Sequence, residues 1–126
     1  MRHVDWKKVQ RVWQHRPNIA AAWVFGSAQD GVVRAGSDLD FGILFVVKPS
    51  LDELTDLRAE LQEILGFEAI DVIPLNEGSP VLRFEALSGR CLYCADRERR
   101  AAFASLTSRE YEDDMTMLAK YVLLER

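Results

Sequence analysis

The sequence predicts an α+β fold in which a small sheet is covered by helices, and three observations carry that prediction. Apolar runs of strand length recur at residues 18–25, 39–47, 67–75 and 90–94. Segments with helical apolar spacing lie between or beside them at 3–15, 50–65, 80–87 and from Asp96 onward. At 126 residues with 48% apolar side chains, the chain has the material for one ordinary core. A single domain over residues 1–126 is expected, with no internal repeat or low-complexity segment to divide it. Chain order alone does not fix which neighbouring strands are parallel.

Each element has its own signal. In residues 3–15 the apolar groups Trp6, Val9, Val12 and Trp13 follow helical spacing and stop before Pro17, which predicts a first helix. Residues 18–25 (NIAAAWVF) read as a buried strand running into Gly26. The glycine-rich stretch from Gly26 to Ser37 predicts a tight turn and about one helical turn. The next strand is expected over 39–47. Ser50 and Glu53 form a capping box for a helix whose leucines recur at 51, 54, 57 and 61, and Gly66 ends it. Pro74 places the strand FEAIDVIPL at a sheet edge or at a strand end.

Composition removes several function classes. With 16 basic and 20 acidic side chains the net charge is −4, which argues against a protein that grips a nucleic-acid backbone. The apolar runs are too short to span a bilayer, and the N-terminus lacks the apolar block of a secretory signal. A cytoplasmic protein is expected. Cys91 and Cys94 form a CxxC, but a structural zinc site needs four ligands and the only histidines are His3 and His15. The two thiols are expected to pack as small apolar groups in a strand.

The chemistry concentrates in two acidic places. If 38–45 is a strand, one side carries Leu39, Phe41, Ile43 and Phe45, while the other carries Asp38, Asp40, Gly42 and Leu44. The first side is built for burial. The second presents two like charges followed by a glycine, expected to leave room for a ligand. Asp71 adds a third acid inside the apolar run AIDVIP, where a charge is costly unless paired. Neither strand contains a lysine or arginine, so three converging carboxylates call for a divalent cation, and all-oxygen ligands suit Mg²⁺ or Mn²⁺. The competing reading makes Asp38 a turn residue and pairs Asp40 and Asp71 with arginines such as Arg34 or Arg83.

Gly26-Ser27, at the end of the preceding strand, weighs against that reading. A glycine there lets the backbone approach a phosphate, and the following amides with the Ser27 hydroxyl can donate to its oxygens. The full pattern G-S-x10-D-x-D arises by accident in on the order of one chain of this size in several hundred.

Gly26, Ser27, Asp38 and Asp40 resemble the signature of the DNA polymerase β-like nucleotidyltransferase superfamily, with Asp71 where its third acid is expected. The small size and the stretch LNEGSPVLRFEALSGRCLYCADRERR are similar to the minimal nucleotidyltransferase (MNT) antitoxins that accompany HEPN-domain toxins. The resemblance implies a small mixed sheet covered by helices and an Mg²⁺-dependent adenylyltransferase that moves AMP from ATP onto a tyrosine of the toxin, in a hetero-oligomer with it. It further implies two Mg²⁺ ions held with the triphosphate by Asp38 and Asp40, Asp71 at the metal facing the attacking hydroxyl, and Gly26 and Ser27 against the nucleotide. One departure stands out: many relatives read G-S-x-A-R-G, whereas this chain has Asp30 at the arginine position, with Arg34 the nearest substitute.

Two other functions compete. A non-catalytic antitoxin would neutralise its partner by contact, using Phe103, Leu106, Met115, Leu118 and Tyr121 among Glu110, Glu112, Asp113 and Asp114; those apolar groups equally fit a helix that covers the sheet. A transferase acting on a small molecule usually needs a second domain for its acceptor, and this chain is short for that.

Overall fold

The four apolar runs meet in one sheet. The computed structural model describes residues 2–124, apart from the side chains of residues 121, 123 and 124. In chain order its elements are β1 (Arg2–His3), a 3-10 turn (Trp6–Val9), α1 (Gln10–Gln14), β2 (Ile19–Phe25), a second 3-10 turn (Gly26–Ala28), β3 (Val32–Val33), β4 (Leu39–Phe45), α2 (Leu51–Leu65), β5 (Ile70–Pro74), α3 (Pro80–Leu87), β6 (Arg90–Cys94) and α4 (Arg97–Leu124). The sheet order is β5-β4-β2-β6, while β1 and β3 form a separate ribbon. β2 runs antiparallel to both β4 and β6, and β4 runs parallel to β5, so the sheet is mixed.

The first predicted helix is shorter than its apolar spacing implied. Arg2–His3 pairs with Val32–Val33, and Asp5 accepts from the Lys7 amide at 3.0 Å to start a 3-10 turn that enters α1 only at Gln10. A strand pairing across the chain overrides local periodicity there, because backbone groups of residues 2–3 find partners in the loop after Gly26. Val9, Val12 and Trp13 are nevertheless buried as that spacing required. The second helix begins as predicted: the Ser50 hydroxyl accepts from the Glu53 amide at 3.1 Å. Only half of the capping box forms, since the Glu53 carboxylate turns to the Asn18 amide group at 3.1 Å. The third strand starts at Ile70 rather than Phe67 and lies at the sheet edge, where Pro74 costs no ladder bond.

Two cores pack on the two faces of the sheet. On one, Leu39, Phe41, Ile43 and Phe45 of β4 meet Val12 and Trp13 of α1 and Leu57 and Leu61 of α2. The Trp13 ring meets Phe41 edge-on, with centroids 5.6 Å apart. On the other, Ala21, Trp23 and Phe25 of β2 and Leu44 of β4 meet Leu75, Ala86 of α3 and Phe103 of α4. Each large side chain so buried contributes about 1.5–3 kcal/mol. Gly42 lies on this second face, where a Cβ would stand 3.1 Å from the Ala86 Cβ and 3.2 Å from Leu75 Cδ1. The space beside it is therefore filled by α3 and Leu75, correcting the expectation that it admits a ligand.

α4 divides into two parts. Its first turns cover the sheet through Phe103, which is buried against Trp23. Further along, Leu106, Met115, Met117, Leu118 and Val122 are exposed. The apolar docking face expected on this helix thus loses Phe103 and keeps Leu106, Met115 and Leu118; the Tyr121 side chain lies outside the described residues. Among the described residues, no helix is long and apolar enough to cross a membrane.

Candidate active site

The Gly-Ser turn and the acidic strand meet because β2 and β4 are antiparallel neighbours. Phe25, the last residue of β2, is in register with Asp40. The chain then bends at Gly26, whose φ of +80° is open to glycine and strained for other residues. A Cβ at that position would stand 3.0 Å from Asp40 Oδ2, so glycine is needed both for the bend and to admit the carboxylate. Ser27 is exposed beside it.

The parallel pairing of β4 and β5 places Asp71 directly across from Asp40. Two residues in register on parallel strands project to the same side, here the side of Gly42 and Leu44. Burial, then the charge of Asp71, then that of Asp38, raise the Asp40 carboxyl above the usual carboxylate range. Asp38 stands one residue ahead of β4 and is exposed, as is Asp71. The structure thus brings Gly26, Asp40 and Asp71 together, with Asp38 near enough to repel Asp40 and Ser27 one residue beyond the bend.

Among the described residues, no arginine neutralises this cluster. Arg34 pairs with Asp30 at 3.1 Å and donates to the carbonyls of Ser27 and Val32, each at 3.3 Å. Arg83 donates to the carbonyls of Leu75 and Asn76, lies over the Phe103 ring and pairs with Glu110 at 3.6 Å. Among the described residues, no ion pair engages Asp38, Asp40 or Asp71. The reading in which Arg34 or Arg83 pairs with Asp40 and Asp71 is therefore not the one adopted.

The donors fit a hard divalent cation in chemistry: carboxylate oxygens only, mutually repelling and, among the described residues, without a cationic partner. Among the described residues, no three His, Cys, Asp or Glu side chains are placed so that they could together hold a metal ion. The acids are neighbours whose strands hold them at one end of the sheet.

The model of the polymerase β nucleotidyltransferase family matches residues 7–98, more than half of the chain. The chain belongs to that family. The fold is shared with a solved MntA–HpeT toxin–antitoxin variant at a TM-score of 0.81 and 18% identity, covering 94% of this chain and 96% of that one. A toxin–antitoxin structure with AMP-PNP gives 0.79 at 19% identity, with 94% and 96% covered. A tri-AMPylated Shewanella oneidensis HEPN toxin in complex with its MNT antitoxin gives 0.73 at 18% identity, with 93% and 92% covered. A search of curated protein sequences found no match.

For a nucleotidyltransferase of this family, Asp30 at the usual arginine position is a local change. Its carboxyl, held below the usual range by the Val32 amide and by Arg34, is satisfied inside the loop, and Arg34 is thereby held against the Ser27 carbonyl. Sequence reasoning missed the residues around the far side of the bend. A groove of about 440 Å³ opens there, lined by Phe25, Gly26, Gln29, Phe84, Glu85, Ser88, Gly89 and Tyr111. Phe84 and Tyr111 come from α3 and α4, and no spacing in the sequence links them to the acids. The CxxC departs from its expectation in part. A bulge in the β2–β6 pairing sets Cys91 opposite Trp23 and Cys94 opposite Ala21, yet Cys91 is exposed and accepts from Arg100 Nη1 at 3.5 Å instead of packing as an apolar group.

Proposed function

We propose that this chain transfers AMP from ATP to a tyrosine hydroxyl of a HEPN-type toxin and so neutralises it. The observation that carries the reading is the register of Asp40 with Asp71 beside Gly26, whose missing side chain makes room for the Asp40 carboxylate. Membership of the nucleotidyltransferase family supports the reaction class. The neighbours in complex with an AMPylated HEPN toxin and with AMP-PNP support the acceptor and the nucleotide.

In this reading Asp38, Asp40 and Asp71 would hold two Mg²⁺ ions, which would supply positive charge to offset that of the triphosphate during an in-line displacement. Gly26 lets the triphosphate lie against the backbone, and the Ser27 hydroxyl donates to a phosphate oxygen. The acceptor oxygen bonds to the α-phosphorus while the bond from that phosphorus to the bridging oxygen breaks, releasing pyrophosphate. Asp71, at the exposed sheet edge, takes the hydroxyl proton. An acceptor carried by another protein suits an acid exposed at the sheet edge.

The exposed apolar stretch of α4 favours a second reading, neutralisation by contact alone. Co-expression with the cognate toxin, followed by intact-mass measurement with and without ATP, separates the two. AMP additions to the toxin that vanish in Asp71→Asn establish transfer. Complete neutralisation with no mass gain leaves contact as the explanation.

A further inference from the structure

We infer that the groove between the Gly26 bend and the α3–α4 pair is the base subsite of the nucleotide, and that it favours purines through Phe84 and Tyr111. This deepens the proposed AMP transfer and rests on it for the position of the phosphates. Gly26 belongs to both places: the space a Cβ would take there borders the Asp40 carboxylate, and the residue lines the groove. A triphosphate against the Gly26-Ser27 bend therefore has its nucleoside end beside this opening, whose volume of about 440 Å³ falls within the roughly 300–1,000 Å³ of small-molecule sites.

The lining suits a flat heteroaromatic ring. Phe84 and Tyr111 are stacked nearly parallel, at 11° with centroids 4.1 Å apart, and both are only partly buried. Their pair presents an aromatic surface on which a base can stack by its π-face. Gln29, Glu85 and Ser88 ring this surface with exposed donors and acceptors for the base edges or the ribose hydroxyls. Two-ring bases cover more of an aromatic pair than one-ring bases, so stacking alone ranks purines first. The larger hollow of about 570 Å³ on α4, lined by Ala104, Ser105, Ser108 and Arg109, shares no residue with the bend and offers no aromatic surface.

The test is equilibrium binding of ATP, GTP, CTP, UTP and inorganic tripolyphosphate, all with Mg²⁺, to the full chain and to its Phe84→Ala and Phe84→Leu variants. The subsite predicts that ATP and GTP bind more tightly than CTP and UTP. It also predicts that Phe84→Ala weakens ATP by about 10-fold while tripolyphosphate affinity stays within twofold. Phe84→Leu keeps the bulk between the helices, so it should retain the melting temperature and still lose the purine preference. Equal affinity for all four nucleotides, or ATP affinity unchanged in both variants, overturns the subsite and leaves the transferase reading standing. Absence of binding by both ATP and tripolyphosphate in the unaltered chain overturns both.

Discussion

The two faces of β4 are built from the same strand and meet opposite fates. The side carrying Leu39, Phe41, Ile43 and Phe45 is buried along its whole length beneath α1 and α2. The side carrying Asp40, Gly42 and Leu44 is covered by α3, α4 and Leu75 only from Gly42 onward, and its N-terminal end stays open around the acids. The difference teaches where this fold keeps its charge. Carboxylates stand where the helical cover stops, and the two-residue period of the strand keeps them from ever facing the closed core.

Exchanging roles between the faces should break the comparison most sharply. Asp71→Asn is expected to lower AMP transfer by about 10²–10⁴-fold with little change in unfolding, because it removes a proton acceptor from an exposed edge. Phe41→Ala on the closed face should instead cost about 3–5 kcal/mol of stability, read as a shift in the urea midpoint. A transfer defect in Asp71→Asn that tracked loss of folded protein would erase the distinction.

Gly26 and Gly42 sharpen it at the next level. Gly42→Ala drives a methyl against Ala86 and Leu75, an overpacking expected to cost about 1–3 kcal/mol in thermal melts, with activity following the folded fraction. Gly26→Ala meets the Asp40 carboxylate and a left-handed φ, so transfer should fall by more than the folded fraction does.

The third effect is smaller and concerns pH. Because burial and neighbouring acids raise the Asp40 carboxyl, this group favours the fold below its unfolded value near 3.8, and that contribution is lost as pH rises through the higher folded value. With a chelator present, Asp40→Asn should therefore raise the melting temperature slightly at pH 7 and leave it unchanged near pH 3, and in a separate assay with Mg²⁺ it should abolish transfer. A melting temperature that falls at pH 7 would show that the carboxylate holds the bend rather than straining it. The least effect is expected from Arg34→Ala, which breaks an exposed, solvent-screened pair with Asp30. ATP affinity should drop only a few-fold, and a total loss would make Arg34 a direct phosphate ligand.

Much of this arrangement was legible in the residues. Alternation along 38–45 announced which side would be buried, and the run IAAAWVF announced a strand covered on both faces, because burial and side-chain period leave the same mark in sequence. Ser50, Gly66 and Pro74 marked boundaries through local backbone chemistry. The first helix was misjudged at its start because Arg2–His3 joins a partner some 30 residues away, a pairing that leaves no local pattern.

What the sequence by itself determined is therefore the four strands of the main sheet and the helices after β4, the chemistry of the acids, and the side of β4 on which they stand, all consequences of near-neighbour periodicity. Tertiary structure alone decided that Asp71 lies opposite Asp40, that Arg34 and Arg83 turn elsewhere, that α3 fills the space beside Gly42, and that Phe84 and Tyr111 stack at the edge of the Gly26 groove. Those outcomes depend on strand order and helix docking, which are chosen by burial summed over the whole chain and so have no local signature.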